Sequence, residues 1–447
     1  MSSYNELMAE YREKTPSSAR NRLTALFDGG VFFEIGSATA VEGRKPSVIT
    51  AHGCIENMPA YAFSIDSSAE SGAIDSVQAQ KIVGLYELAG RNGVPVIGFY
   101  DSLGAFINDG ADALNAYSAI LAKAAEMSGV VPTVSVINGI CSGSLALIAV
   151  SADHIIMTAD SQLYFEPNTD STAESAAKNG LVSMTVADDT AATAAVKAYL
   201  SLMPANNLES PAEFSFDEPS FKGIKDAQSF VRSVSDADSV TELYADYGTS
   251  AYTALAGVSG MSAGFVATNK SADKLTKDDL SKIARLVRLC DAFGLPVITL
   301  VDSKGIEKDA ALSLAKASAA YAEASVPKLA VVKNAVGAVF TAFAGKNVSA
   351  DSVIAVPDAV ISPIAPLTAA EFLYHDKLEG AVDTKAERDK LAADFALNSA
   401  NAFAAAAKGA VDDVADPEAL RSYIVNTLDI SRGKRLARRI PKKHGII

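Results

Sequence analysis

Apolar positions along the chain run in two parallel series. In the first, residues 60–65 carry a strand signal, and Ile82, Leu85 and Leu88 then recur at helical spacing. Residues 96–100 form a continuous apolar run, the mark of a buried strand, and end in Asp101-Ser102. An Ala-rich stretch over 111–127 predicts a long helix. Another buried strand follows Pro132, leads into the small-residue turn Asn138-Gly-Ile-Cys-Ser-Gly-Ser144, and gives way to an apolar helix over 145–150. The second series keeps the order: a strand over 264–268, then Ile283, Leu286 and Leu289 at helical spacing. A buried strand over 297–301 ends in Asp302-Ser303, a helix follows over 310–324, and a strand after Pro327 meets the turn Asn334-Ala-Val-Gly-Ala-Val339. Gly93 and Gly294 suit the position just past a helix end, with Pro95 and Pro296 close behind.

The residues repeat as well as the rhythm. Asn92-Gly-Val-Pro-Val-Ile-Gly-Phe-Tyr-Asp101-Ser resembles Phe293-Gly-Leu-Pro-Val-Ile-Thr-Leu-Val-Asp302-Ser. Lys81-Ile82 maps onto Lys282-Ile283, and Val131-Pro132 onto Val326-Pro327. Val150-Ser-Ala-Asp-His-Ile-Ile-Met157 maps onto Val348-Ser-Ala-Asp-Ser-Val-Ile-Ala355. Matches in one order, at spacings that drift by a few residues, fit a duplicated domain with loop insertions. Strands alternating with helices predict an α/β fold in each half, with domains over 1–230 and 231–447. Residues 170–238, polar and containing Pro204, Pro211 and Pro219, predict a helical spacer at the domain junction. Residues 382–417, rich in Ala, Asp and Lys, predict exposed helix.

Composition narrows the function. The net charge is −14, which repels phosphate backbones and argues against nucleic acid as a partner. Hydrophobic residues are 49% of the chain and Trp is absent, so Ala, Val, Ile and Leu must pack the core. The cysteines, Cys54, Cys141 and Cys290, are odd in number and lack metal-ligand spacing, so neither a disulfide framework nor a zinc ribbon is expected. The histidines, His52, His154, His375 and His444, pair with no Cys or Glu at metal spacing, so no metal site is expected. No secretory or membrane-spanning pattern is present, which predicts a cytoplasmic protein.

Two turns are candidates for chemistry. At Gly143-Ser144 and at Gly337-Ala338 a buried strand passes through small residues into a helix. Small residues let a ligand approach the backbone, and the unpaired N–H groups of a helix start can face a negative oxygen, as an oxyanion hole requires. Tight helix–strand packing explains the same residues equally well. Asp101-Ser102 and Asp302-Ser303 recur in both halves, which favours a capping or turn role over catalysis. Cys141-Ser-Gly-Ser lacks the Gly-x-Ser-x-Gly pattern of a serine hydrolase. A hydratase or isomerase would need placed carboxylates, for which Asp109 and Glu166 are the candidates.

The order and wording of these segments resemble the carboxyltransferase family of biotin-dependent enzymes. That family includes the beta subunits of propionyl-CoA and acetyl-CoA carboxylases and the carboxyltransferase subunits of methylmalonyl-CoA and glutaconyl-CoA decarboxylases. The resemblance covers residues 22–35, 63–82, 93–110, 128–157 and 290–356. It includes the string Ala322-Glu-Ala-Ser-Val-Pro-Lys328 and the tail Arg432-Gly-Lys-Arg with Pro441-Lys-Lys-His-Gly445. It implies a duplicated crotonase-like ββα spiral, one per half, each a carboxyltransferase domain. It implies an active site shared between the N-half of one subunit and the C-half of another, hence a homo-oligomer, either a dimer or a dimer of trimers. It also implies an acyl-CoA substrate, a biotin carboxyl carrier protein, and either a biotin carboxylase or a membrane decarboxylase subunit as partner. No biotin-accepting Met-Lys motif and no P-loop lies in the sequence, so biotin would be carried on a separate protein.

Carried over by position, Gly143 and Ser144 would supply oxyanion donors in the N-half. Gly337 and Ala338, with Val339 beside them, would supply donors in the C-half. Leu103, Gly104, Ala105 and Phe106, together with Gly72 and Ala73, would face the coenzyme A thioester. The departures fall on these loops. Ser144 and Ala338 stand where the family has the second glycine of a pair, and Leu103-Gly104-Ala105-Phe106 stands where it has Gly-Gly-Ala-Arg. After Asp302-Ser303 the biotin-facing loop is cut to Lys304-Gly-Ile-Glu-Lys-Asp309. Such changes suit a divergent substrate, with a lean toward decarboxylation over carboxylation. They also suit a non-catalytic paralogue acting as a binding or scaffold subunit. The basic tail residues Arg432, Lys434, Arg435, Arg438, Arg439, Lys442 and Lys443 are expected to fold against acidic neighbours.

Overall fold

The computed structural model describes residues 3, 4, 8, 16–41, 43–211, 213–219, 223–271, 274–346 and 348–434. Contacts divide the chain into two units, Met1–Ser210 and Pro211–Ile447.

In the first unit, the apolar runs become α1 (Ser18–Leu26), β1 (Phe32–Ile35), β2 (Val48–Ile55), β3 (Met58–Ile65), α2 (Ser76–Asn92), β4 (Val96–Ser102) and α3 (Ala111–Met127). They continue as β5 (Thr133–Ser142), α4 (Ser144–Ala149), β6 (His154–Thr158), β7 (Gln162–Tyr164), α5 (Ala173–Lys178), β8 (Met184–Val186) and α6 (Asp189–Ser201). The sheet order is β1-β2-β3-β4-β5-β6-β8, with β7 beside β5. β1 to β3 pair antiparallel and the rest pair parallel. Helices cover the parallel strands, so both their faces are apolar, and that is why residues 96–100 read as an unbroken run. Asp75 caps α2 by accepting from the N–H of Gln78 at 2.8 Å, and Gly93 ends it in the left-handed region.

The second unit repeats the plan. It holds α7 (Ala227–Val234), β9 (Thr241–Glu242), β10 (Tyr252–Val258), β11 (Met261–Ala267), β12 (Lys274–Leu275), α8 (Lys277–Ala292), β13 (Val297–Ser303), β14 (Gly305–Ile306) and α9 (Ala311–Glu323). After these come β15 (Lys328–Val336), α10 (Ala338–Ala344), β16 (Ser352–Ser362), α11 (Pro366–Leu373), α12 (His375–Glu379), α13 (Thr384–Ser399), α14 (Ala402–Ala407), β17 (Asp413–Val414) and α15 (Leu420–Ser431). The sheet order is β17-β16-β15-β13-β11-β10-β9. The repeated Val-Ser-Ala-Asp has one job in both units. Asp153 accepts from the N–H of Thr133 at 2.9 Å, and Asp351 accepts from that of Lys328 at 2.8 Å, so each aspartate fixes the start of the preceding parallel strand.

Three sequence expectations change. Residues 170–238 are not a spacer: β8 joins the first sheet, and α6 buries Val196 and Tyr199. The division between units falls after Ser210, ahead of 230/231, because α7 buries Phe230 and Val231 within the second unit. Residues 382–417 are helical over α13 and α14 but end in a strand, β17, that extends the second sheet. Of the basic tail, Arg432 pairs with Glu213 at 2.7 Å and Lys434 with Asp351 at 2.7 Å. Arg435, Arg438, Arg439, Lys442 and Lys443 lie outside the described residues.

A buried cation accompanies the repeat. Lys282 is 1% exposed and donates to the carbonyl of Tyr244 at 3.1 Å. Its counterpart Lys81 donates to the carbonyl of Val48. Burial, helped by the nearby Lys270, pushes the Lys282 ammonium down to about 8. Below that pH both folded and unfolded chains hold the proton, and the cost of burying the charge is fully present. As pH rises from about 8 toward the ordinary lysine value, the folded chain releases the proton first and stability rises. Lys282→Met is therefore expected to stabilise the protein at pH 7 by an amount on the order of 3 kcal/mol. The advantage should shrink between pH 8 and 10, as read from urea midpoints of the two chains at each pH.

Candidate functional site

Each unit gathers its small-residue segments at the C-terminal ends of its parallel strands. The register of β4 on β5 slips between Tyr100 and Ser102, and that of β13 on β15 slips between Val301 and Asp302. A bulge of this kind turns consecutive side chains to different jobs. Asp101 accepts from Ser67 Oγ at 2.7 Å and pairs with Arg22 at 3.5 Å. Gly139 is packed so tightly beneath it that an added Cβ would lie 2.0 Å from Asp101 Oδ1. Asp302 accepts from Asn334 at 2.5 Å and pairs with Lys333 at 3.3 Å. Ser102 donates to the carbonyl of Gly72 at 2.7 Å, and Ser303 to that of Gly305 at 2.9 Å. Both Asp-Ser pairs are thus turn anchors.

In the first unit three predicted segments meet. The Leu103 N–H donates to Ser71, the Ile74 N–H to Gly104, and the Phe106 N–H to Ile74, each at 3.1 Å. Ser142 Oγ donates to the carbonyl of Leu103 at 2.8 Å, which ties the β5 turn to the same loop. Gly72, Ala73, Leu103, Gly104, Ala105, Phe106, Gly143 and Ser144 therefore form one neighbourhood. Leu103 is 55% exposed and Ser144 is exposed, so neither side chain fills the turn. In the second unit β12 pairs with β14 as Ile74 pairs with Ala105, and the Glu307 N–H donates to Leu275 at 2.9 Å. The short loop after Ser303 makes the minimal form of the same tie.

The two helix-start turns match closely. Gly143 has φ 60 and ψ −131, and Gly337 has φ 55 and ψ −122. This is the first central position of a type II′ turn, where glycine is at home. The N–H of Gly143 donates to Tyr164 and that of Gly337 to Ser362, both at 2.9 Å. These two glycines therefore act through conformation and not as outward donors. The first helical amides, Ser144 with Leu145 and Ala338 with Val339, have no carbonyl one turn back to meet. In the loop beside Ser144, the N–H of Gly72 donates to Ala69 at 2.8 Å and that of Ala73 to Glu70 at 3.0 Å. Those amides close a turn in which Glu70, Ser71 and Gly72 all have positive φ.

Other candidates resolve simply. Cys141 is fully buried, and burial pushes its thiol up, away from nucleophilic use. Asp109 pairs with Arg44 at 3.5 Å and is no free base. Arg44 itself carried no sequence signal. Its ring partner is Phe106, 3.8 Å from the guanidinium carbon, and its carboxylate partner Asp75 lies 31 residues away.

Strand-end turns on two such spirals define a class, and comparison agrees with it. A family profile described as the carboxyl transferase domain matches residues 11–172 and 168–447, and the chain belongs to that family. It is 30% identical over 483 residues to the methylmalonyl-CoA decarboxylase subunit alpha of Propionigenium modestum, covering 96% of this chain and 93% of that one. It is 31% identical over 479 residues to the methylmalonyl-CoA carboxyltransferase 12S subunit of Propionibacterium freudenreichii subsp. shermanii, covering 96% and 91%. The crystal structure of transcarboxylase 12S, a hexamer with hydrolysed methylmalonyl-CoA bound, superposes with a TM-score of 0.89 at 29% identity, over 99% of this chain and 94% of that one. The fold is the crotonase-like spiral. Among the described residues no helix is long and apolar enough to cross a membrane.

Alanine at either turn glycine tests the geometry. Gly143→Ala meets nothing within 4 Å and should cost only the backbone strain of about 1–3 kcal/mol. Gly337→Ala places its Cβ 2.9 Å from the carbonyl oxygen of Pro363 and should lower the melting temperature further. Equal losses in the two variants would contradict the difference between the turns.

Proposed function

We propose that this chain is the carboxyltransferase subunit of a biotin-dependent complex and moves a carboxyl group between an acyl-CoA and biotin on a separate carrier protein. The observation that carries the reading is the pair of turns at Gly143 and Gly337, equal in conformation and equally placed at strand ends. Loss of carboxyl from an acyl-CoA throws negative charge onto the thioester oxygen. A fixed amide at the helix start stabilises such an oxygen without any side-chain nucleophile. Ser144 is the donor we assign to the acyl-CoA side and Ala338 the donor for the biotin side. Gly72, Ala73 and Leu103 to Phe106 form the loops against which the thioester lies.

The two units are its two carboxyltransferase domains, and the chain works as a homo-oligomer. Methylmalonyl-CoA is the substrate to try first, because the named relatives act on it. A membrane decarboxylase subunit, or a biotin carboxylase, completes the complex at the cytoplasmic side. The non-catalytic reading draws its support from the Gly72 and Ala73 amides, which are already occupied.

Proline substitution separates these readings. Proline suits the first position of a helix and lacks the N–H. Ser144→Pro and Ala338→Pro should therefore leave the melting temperature within a few degrees of the parent. Each should cut carboxyl transfer from methylmalonyl-CoA to free biotin by about 10²–10³. A parent chain without transfer, and without CoA binding by calorimetry, would leave the scaffold role standing.

A further inference from the structure

Arg44 touches both ligand-facing loops of the first unit. Its Nη1 lies 3.3 Å from Oδ2 of Asp75, the cap of α2, and its Nη2 lies 3.5 Å from Oδ1 of Asp109, just ahead of α3. The flat of the guanidinium covers the half-buried ring of Phe106 at 3.8 Å. Asp75 is 5% exposed, so its charge needs a partner. A cleft of about 530 Å³ opens between the first turns of α2 and α3, with Ser76, Gln80, Lys81, Asp112 and Asn115 in its wall. Arg44 thus bridges the two helix starts whose first turns line that cleft.

We propose that Arg44 is a positioning residue for the acyl-CoA. It locks the segment Gly72 to Asp75 and the segment Leu103 to Asp109 into one register, and so fixes the shelf on which the thioester must lie relative to Ser144. The proposal rests on the acyl-CoA reading above. Arginine suits the task because one planar fork serves two carboxylates while its face stacks on an aromatic ring. Without the cation, Asp75 and Asp109 repel each other and the loops lose their shared anchor. A lysine retains the charge but neither the fork nor the stack.

The test uses the full chain with Arg44→Met and Arg44→Lys. Amide hydrogen exchange is followed in peptides covering 70–75 and 103–110, with 133–142 as the internal control. Steady-state transfer from methylmalonyl-CoA to free biotin gives KM and kcat. In Arg44→Met, exchange should rise in both loop peptides and not in the control, and KM should rise about tenfold while kcat moves less. Arg44→Lys should recover the parent melting temperature and only part of the KM. Unchanged exchange in either loop overturns the clamp. Faster exchange with an unchanged KM makes Arg44 structural only and overturns the positioning role. A parent chain that binds no acyl-CoA overturns the functional reading and the ligand half of this proposal. The exchange data then still decide whether the clamp exists.

Discussion

One backbone constraint governs the candidate site in each unit: the chain must leave a buried parallel strand and start a helix through a glycine with φ near +60 and ψ near −125. The constraint is met from two sides. The strand side supplies a carbonyl, from Tyr164 or Ser362, that takes the glycine N–H and stops it from turning outward. The helix side leaves the next amide without an intrahelical partner. Direction is thus set by the main chain, and the identity of the residue after the glycine matters mainly through the space its Cβ occupies. That is why a serine at 144 and an alanine at 338 can follow the two glycines with the same backbone.

The strand-end bulge carries the rest. By turning Asp and Ser of one dipeptide to opposite duties, it anchors the strand beneath and ties the loop above. The two units do this with different partners. Asp101 leans on Arg22, Ser67 and the bare backbone of Gly139, whereas Asp302 leans on Asn334 and Lys333. The same split shows in the strands beside the turn. The first unit supplies its capping carbonyl from the short β7, and the second from the end of the long β16. Equivalent geometry is reached by unequal sequence, as expected when a duplicated fold keeps its backbone and drifts in its side chains.

This explains what could be read from residues alone. The repeat, the buried strands, the helix over 111–127 and the glycine stop at Gly93 follow from local rules of period and capping, and each is visible within a few residues. Membership of the biotin-dependent family came from strings such as Ala322 to Lys328 and not from any single site residue. The acceptor of the Gly143 N–H could not be read, because β7 is three residues long and pairs with β5 out of chain order. β8 is hidden for the same reason, and residues 170–238 therefore read as a spacer in the sequence. Arg44 lay in a stretch with no periodicity, and its partners come from the starts of two different helices.

Net charge sharpens the physical picture. A chain at −14 sits in a field that disfavours anions such as a CoA thioester at long range, yet salt screens that field within about 10 Å. At the turn the charges that would act on a proposed oxyanion are fixed amide dipoles at hydrogen-bond range, and these do not depend on the acid count of the surface. Surface acidity and the amide dipoles of a helix start therefore act at separate distances and can drift separately. The same separation makes a local cation valuable. Arg44 holds two carboxylates that would otherwise face each other at the loop pair, so the repulsion between them is cut locally even though the cluster, like the chain, stays negative.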